Sequence, residues 1–489
     1  MEELNGVIGR RLLMGKVKHD KKIGFVVIST LNYGNQLVNF ALFQIFQKLG
    51  YQVSMIYPPS SVDENYRTRK NLFLRNPYID DNIIEVTDFH SLIKLNEWFD
   101  IFIVGGDQQF RYIFAEGTKE FSYLDWVHWS KKKFSVGTSF GTNYYENLYP
   151  YIVDRMGYWL QRFQSISVRE QSGVELLNEQ FGIQDAKKIV DPVFLCEPLY
   201  VKQLARETKI NEAEGIYIGA YLLDMTNNKK CFLQQLAKQY CDGKYQIIRD
   251  AGAILEPNKS GLEYDSHTLY DAKVEDWLAM IDGCELLLTD SFHGVCMALL
   301  LKKPFCVTFE QENWRGFARI KEILFEYALE DRIVTSYKEY LEKGLDKKQI
   351  DFEYIHNKIQ EKRMNGIEWI KETIEKEMSF KEDPFYKWYI NKSLKFNPLP
   401  EDGDFTYIAW GAGNFFLANE DKIRENDVQY VCDQNSEKWG KEIVSGIRCI
   451  NIEELKKIKK VVVLITIDNW QAEQEIEKKV GLLDNVIGI

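Results

Sequence analysis

The stretch Glu285 to Leu301, reading ELLLTDSFHGVCMALLL, restricts the fold of this chain more than any other. It is an apolar run, a short polar turn holding one histidine, and a second apolar run. Glu285 to Leu288 is closed by Thr289 and Asp290, the pattern of a strand buried in a parallel sheet. Ser291 is placed to cap a helix whose first turn holds His293 and Gly294. Strand, turn and helix start then aim unpaired N–H groups and the positive end of a helix dipole at one point, which is how α/β proteins hold anions. His293 stands at that point. Of the six histidines in the chain it is the one expected to carry chemistry, the plain alternative being a cap or a hydrogen-bonded core residue.

A chain of 489 residues is too long for one ordinary core, so two or three domains are expected. Apolar content of 45%, with 14% aromatic, excludes a disordered protein. A net charge of −11 argues against nucleic acid, whose partners carry a basic face. It also disfavours broad adhesion to an anionic membrane. The N-terminal stretch lacks the long apolar core of a signal peptide, and no run approaches the roughly 20 apolar residues of a membrane span. Eight cysteines without a CxxC pair suit buried thiols in a reducing compartment, so the expected location is cytoplasmic. No His, Cys and carboxylate cluster has metal-ligand spacing, and no metal is expected.

Along the chain, Gly24 to Ile28 reads as a strand, Ser29 to Gln36 as a turn, and Leu37 to Leu49 as a helix. Asn32, Tyr33, Gly34 and Asn35 are turn formers, and Gly34 admits close approach of a ligand. Asp100 to Val104 is another strand, ending in Gly105, Gly106 and Asp107. The two glycines mark a place where a side chain would block either a ligand or neighbouring packing. Phe121 to Trp129 is aromatic enough for a sugar platform, though core is its commoner use. Ser165 to Val168 is a strand running into Arg169 and a helix, which sets a guanidinium fork at the binding edge of a parallel sheet. An ordinary salt bridge with Glu170 is the alternative. Arg315 and Arg319, four apart in a helical stretch, share one face. After Pro384, Pro398 and Pro400 the alternation restarts, with a glycine turn at 411–413 and Asp433 at the spacing of a dinucleotide fingerprint, although Phe416 occupies its third glycine position. These shifts divide the chain into 1–200, 201–395 and 400–489.

Five motifs in order, NYGNQL (Asn32 to Leu37), VGGDQQF (Val104 to Phe110), SVRE (Ser167 to Glu170), DPVFL (Asp191 to Leu195) and TDSFHG (Thr289 to Gly294), resemble the polysaccharide pyruvyl transferase family. The resemblance covers about Gly24 to Val334. It implies an α/β protein with two Rossmann-like domains facing each other across a cleft, as in GT-B enzymes, and the tail resembles a small Rossmann-like module. It implies transfer of the enolpyruvyl group of phosphoenolpyruvate to two hydroxyls of a sugar, giving a pyruvate ketal, with no cofactor beyond that donor. The acceptor would be a glycan or lipid-linked oligosaccharide, which leaves open peripheral contact with the inner face of the membrane, as well as homo-oligomerisation.

In the family the matches of His293 and Arg169 are expected at the donor site. Some members carry an arginine two places before the histidine, where this chain has Ser291, so Arg315 or Arg319 is expected to supply the second cation. The glycine turn, the Asn32 turn and the Ser291 to Gly294 turn complete the expected substrate site, with Asp107 as base for the attacking hydroxyl. A GT-B nucleotide-sugar glycosyltransferase and a non-catalytic glycan-assembly protein are the competing readings.

Overall fold

The structure is a computed structural model that describes residues 19–28, 32–57, 73–74, 82–86, 89–111, 121–146, 150–208, 215–249, 267–269, 272–310, 316–383, 386, 390, 406–425, 427–467, 470–480 and 482–488. The chain divides into two compact units, 1–147 with 156–381, and 148–155 with 382–489.

The larger unit holds two parallel sheets. The first has strands β1 (Lys22–Val26), β2 (Gln52–Tyr57), β3 (Ile83–Glu85), β4 (Ile101–Val104), β5 (Lys132–Thr138), β6 (Ser165–Val168) and β7 (Lys187–Lys188), in the order β3-β2-β1-β4-β5-β6-β7. The second has β8 (Ile218–Tyr221), β9 (Tyr245–Ile248), β10 (Thr268–Leu269), β11 (Leu286–Thr289) and β12 (Phe305–Val307), in the order β10-β9-β8-β11-β12. Every residue of β4 and β11 is buried, as strands covered on both faces require. Both orders reverse direction beside the first strand of the sheet, between β1 and β4 and between β8 and β11. Such switch points open a crevice at the carboxyl ends of the strands.

The helices that matter for the site are α1 (Tyr33–Lys48), α2 (Gln171–Phe181), α3 (Pro192–Leu195), α4 (Val274–Gly283), α5 (Phe292–Leu301), α6 (Phe317–Glu326) and α7 (Phe352–Glu375). The turn formers Tyr33 to Gln36 lie inside α1, not before it. Asn32 is its cap, with its side chain accepting from the Asn35 N–H at 3.1 Å, and α1 is buried on all sides from Tyr33 to Phe46. Burial all round is what an apolar helix between two packed layers demands. The aromatic stretch after residue 120 is core: Phe121, Tyr123 and Trp126 are all buried, and Trp126 packs edge-on against Phe102 at 5.0 Å.

One of the contacts between the two halves of this unit runs through a buried carboxyl. Glu275 in α4 is buried and its carboxylate accepts from the Leu74 N–H at 2.8 Å. Burial pushes this carboxyl up to about 6, against the pull of that hydrogen bond. A raised acid favours folding below its unfolded pKa, and that contribution is lost as pH rises through about 6. Glu275→Gln keeps the acceptor oxygen without the charge. It should raise Tm at pH 7.5 and leave it nearly unchanged near pH 4.5, as scanning calorimetry at the two pH values would read.

The smaller unit carries a sheet of β13 (Thr406–Trp410), β14 (Val428–Cys432), β15 (Glu442–Val444), β16 (Ile447–Ile450), β17 (Val461–Ile465) and β18 (Val486–Gly488), ordered β15-β16-β14-β13-β17-β18. Only the β15 and β16 pair is antiparallel. Asp433, at the fingerprint's acidic position, accepts from the Ala412 N–H at 2.7 Å, from Asn435 N–H at 2.8 Å and from Lys438 Nζ at 3.3 Å. Its carboxylate is thus engaged by its own loop and by the glycine turn after β13. Among the described residues no helix is long and apolar enough to cross a membrane.

All eight cysteines are free thiols; only Cys231 is exposed.

Candidate functional site

Five turns at the carboxyl ends of the two sheets meet at one point. Asn32 and α1 follow β1, Asp107 follows β4, Arg169 follows β6, Asp191 follows β7, and Ser291 to Gly294 follow β11. The two switch points touch each other: Asn32 Nδ2 lies 3.4 Å from the Tyr221 hydroxyl at the end of β8, and Tyr33 donates to the Ala272 carbonyl at 3.0 Å.

Arg169 is the hub, its side chain 1% exposed. Its Nη2 donates to Asp107 Oδ1 at 2.6 Å, its Nε to Glu170 Oε1 at 2.8 Å and its Nη1 to Asp191 Oδ2 at 2.6 Å. Burial alone would lower the guanidinium pKa, but Glu170, Asp107 and Asp191 overcome it and raise it further. The expected alternative, a salt bridge to Glu170, is present, and two more carboxylates join it. Glu170 Oε1 also accepts from the Ser139 hydroxyl at 2.7 Å. Asp191 uses its other oxygen to cap α3, accepting from Val193 N–H at 2.9 Å.

His293 joins this cluster from the second sheet. Its Nε2 is 3.5 Å from Arg169 Nη1 and 3.6 Å from Asp191 Oδ2. Neither contact is a short hydrogen bond. A neutral ring can accept from the guanidinium and a charged ring can donate to the carboxylate, so both protonation states have a partner at one nitrogen. Burial tends to raise the Asp191 carboxyl, but the Arg169 charge and His293 hold it below the ordinary range.

The other face of the imidazole meets Gly34. A Cβ on Gly34 would lie 2.2 Å from His293 Nδ1 and 2.3 Å from its Cγ. Gly34→Ala should therefore displace the ring, and for a ring that carries chemistry a shift of about 1 Å costs on the order of 10²-fold in rate. The overpacking cost of about 1–3 kcal/mol is partly offset by the better helix propensity of alanine. Steady-state kinetics beside a denaturation curve would separate the two effects.

Asp107 binds a second cation. Arg319 in α6 places Nη1 3.4 Å from the same Oδ1, and both guanidinium groups lie over the Phe292 ring, at 4.6 Å for Arg169 and 5.6 Å for Arg319. Burial would raise the Asp107 carboxyl, yet Arg169, His293 and Arg319 together hold it well below the usual carboxylate range. Such a carboxylate is a weak base, so these surroundings do not favour the role of base expected for Asp107. The geometry makes it an anchor for two arginines. Arg315 lies outside the described residues.

The remaining expected residues are spent locally. Ser291 caps α5, its Oγ accepting from the Gly294 N–H at 3.3 Å, and a Cβ on Gly294 would come within 2.4 Å of Thr289 Oγ1. A Cβ on Gly105 would meet Leu42 Cδ1 at 2.5 Å and the Val136 carbonyl at 2.9 Å, so packing alone excludes a side chain there. Gly106 has a φ of +144° and faces Gln109 Nε2 at 2.6 Å from its would-be Cβ. Asn35 is buried in the first turn of α1. Sequence reasoning gave no role to Asp191 or Phe292. The signal for Asp191 was an aspartate directly before a proline after a strand, which marks a helix cap at the binding edge.

Fold and cluster define a two-sheet α/β protein whose polar site is built between opposed switch points. Residues 32–308, more than half of the chain, match the family model described as polysaccharide pyruvyl transferase, and the chain belongs to that family. No curated protein matches the sequence. Similar solved structures include the wall teichoic acid polymerase TagF, 12% identical over 77% of this chain and 90% of that one with a TM-score of 0.41. UDP-GlcNAc 2-epimerase from Neisseria meningitidis is 15% identical over 72% and 99%, with a TM-score of 0.41. A putative UDP-N-acetylglucosamine 2-epimerase from Listeria monocytogenes is 12% identical over 68% and 88%, with a TM-score of 0.40.

Proposed function

We propose that this member of the family transfers the enolpyruvyl group of phosphoenolpyruvate to two hydroxyls of a sugar in a glycan, forming a pyruvate ketal. The observation that carries the reading is the meeting of His293 with Arg169 and Asp191 where the two sheets face each other, at 3.5 and 3.6 Å. The donor is a compact anion, and the paired guanidinium groups of Arg169 and Arg319 over Phe292 are the cations assigned to it.

In the first step a sugar hydroxyl adds to C2 of phosphoenolpyruvate while the imidazolium of His293 gives its proton to C3, which becomes the methyl group. The proton of that hydroxyl passes to the phosphate, which leaves as its C–O bond breaks. The second hydroxyl then closes on C2 and gives its proton to the neutral imidazole, so the histidine ends as it began. The charged ring can donate to the Asp191 carboxylate before the first step, and the neutral ring can accept from the Arg169 N–H after it. Asp107 serves by holding both guanidinium groups in place.

The test is to incubate the purified protein with phosphoenolpyruvate and galactose- or N-acetylhexosamine-bearing acceptors. Phosphate release with a mass gain of one pyruvyl unit on the sugar is expected. If UDP or GDP sugars raise Tm and phosphoenolpyruvate does not, the glycosyltransferase reading replaces this one.

A further inference from the structure

A cavity of about 340 Å³ opens beside the cluster, between the edge of the first sheet at β7 and helices α6 and α7. Its inner end is formed by Arg169, Asp191, Phe292 and Arg319. Its outer wall holds Lys188, Glu322, Glu326, Lys362, Asn365 and Trp369. We infer that this cavity seats the acceptor as one uncharged pyranose ring and discriminates against sugars that carry a carboxylate. The assignment rests on the transfer reaction proposed above.

Charge pairing decides the class of ligand. Lys188 Nζ donates to Glu322 at 2.7 Å and to Glu326 at 3.0 Å, and Lys362 is paired with the other oxygen of Glu326. Along this outer wall an anionic sugar would meet lysines that already have partners and carboxylates that repel it. A neutral polyol brings no charge to compensate. Its hydroxyls can donate to the remaining lone pairs of Glu322 and Glu326 and accept from Asn365, all of which face the cavity. Trp369, half-buried and edge-on to Phe134 at 6.5 Å, offers an aromatic surface for the C–H face of a ring. A ring held at this outer wall faces the inner end, where Arg169 and Asp191 lie beside His293.

The experiment is saturation-transfer NMR on the full chain, with methyl glycosides of glucose, galactose and N-acetylmannosamine set against methyl glucuronide and methyl galacturonide. Neutral glycosides should show transfer and uronides none. Asn365→Trp, at an exposed position of α7 projecting into the cavity, should weaken neutral binding by at least about tenfold. The protection of Tm by phosphoenolpyruvate should persist in that variant. Glu322→Gln, which leaves Lys188 undercompensated, should admit uronides and gives a second readout if Asn365→Trp does not fold. The inference is overturned if no neutral glycoside binds, if uronides bind as well as neutral rings to the unaltered chain, or if Asn365→Trp folds and binds them undiminished. Loss of phosphoenolpyruvate protection in Asn365→Trp would likewise assign the cavity to the donor. Absence of that protection in the unaltered chain, with neutral glycosides still bound, would sink the donor assignment and leave the cavity assignment standing.

Discussion

Replacing Arg169 with leucine should destabilise the larger unit by about 3–5 kcal/mol, the usual result of removing one partner from a buried ionic group. The size follows from what remains. Asp107, Glu170 and Asp191 have side-chain exposures of 14%, 5% and 1%, and all three point at the guanidinium. Without it, three carboxylates would face one another with, among the described residues, Arg319 and His293 beside them. Their pH dependence gives an internal control. Asp107 and Asp191 are held below their ordinary values in the native protein, so they contribute stability above the unfolded carboxyl pKa and lose it as pH falls through the lowered values. In Arg169→Leu the stranded carboxyls relieve their repulsion by taking protons. The stability gap between the two proteins should therefore narrow from pH 7 to pH 4, as urea denaturation at each pH would measure. A gap that stayed constant would mean that the guanidinium contributes packing and not charge.

Replacing His293 with alanine should have the opposite signature, a loss of about 10²–10⁴ in kcat with a much smaller effect on stability. Its Nε2 contacts at 3.5 and 3.6 Å are too long to bear much of the fold, and Arg169 keeps all three short partners when the ring is gone. Phosphate release from phosphoenolpyruvate is the measurement. If the variant kept full activity, the proton transfers assigned to the imidazole would have to be moved elsewhere, while a collapse of Tm equal to that of Arg169→Leu would make His293 a structural residue.

Much of this arrangement was legible in the residues. The apolar runs that became β4, β8, β11, β13, β14 and β17 were plain because buried parallel strands leave a continuous apolar signature. The strands β3 and β10, of three and two residues, were not, because IIE and TL are too short to show any period. Asn32 to Asn35 read as a turn because those residue types favour one. In the fold Asn32 becomes a cap, and burial of α1 on every side outweighs the local preference of the rest. The pairing of Gly34 with His293 could not be read, since 259 positions and two sheets separate them. Nor could the number of carboxylates on Arg169, because Asp107, Glu170 and Asp191 come from three different turns.

The nested fit of an imidazole from one sheet against a glycine at the start of a helix on the other has a consequence for recombination among relatives. A chimera that took its front half from a protein with any larger residue at position 34 would fold each half and still spoil the seam. Donor and recipient must be matched at that one residue before the rest of the graft matters.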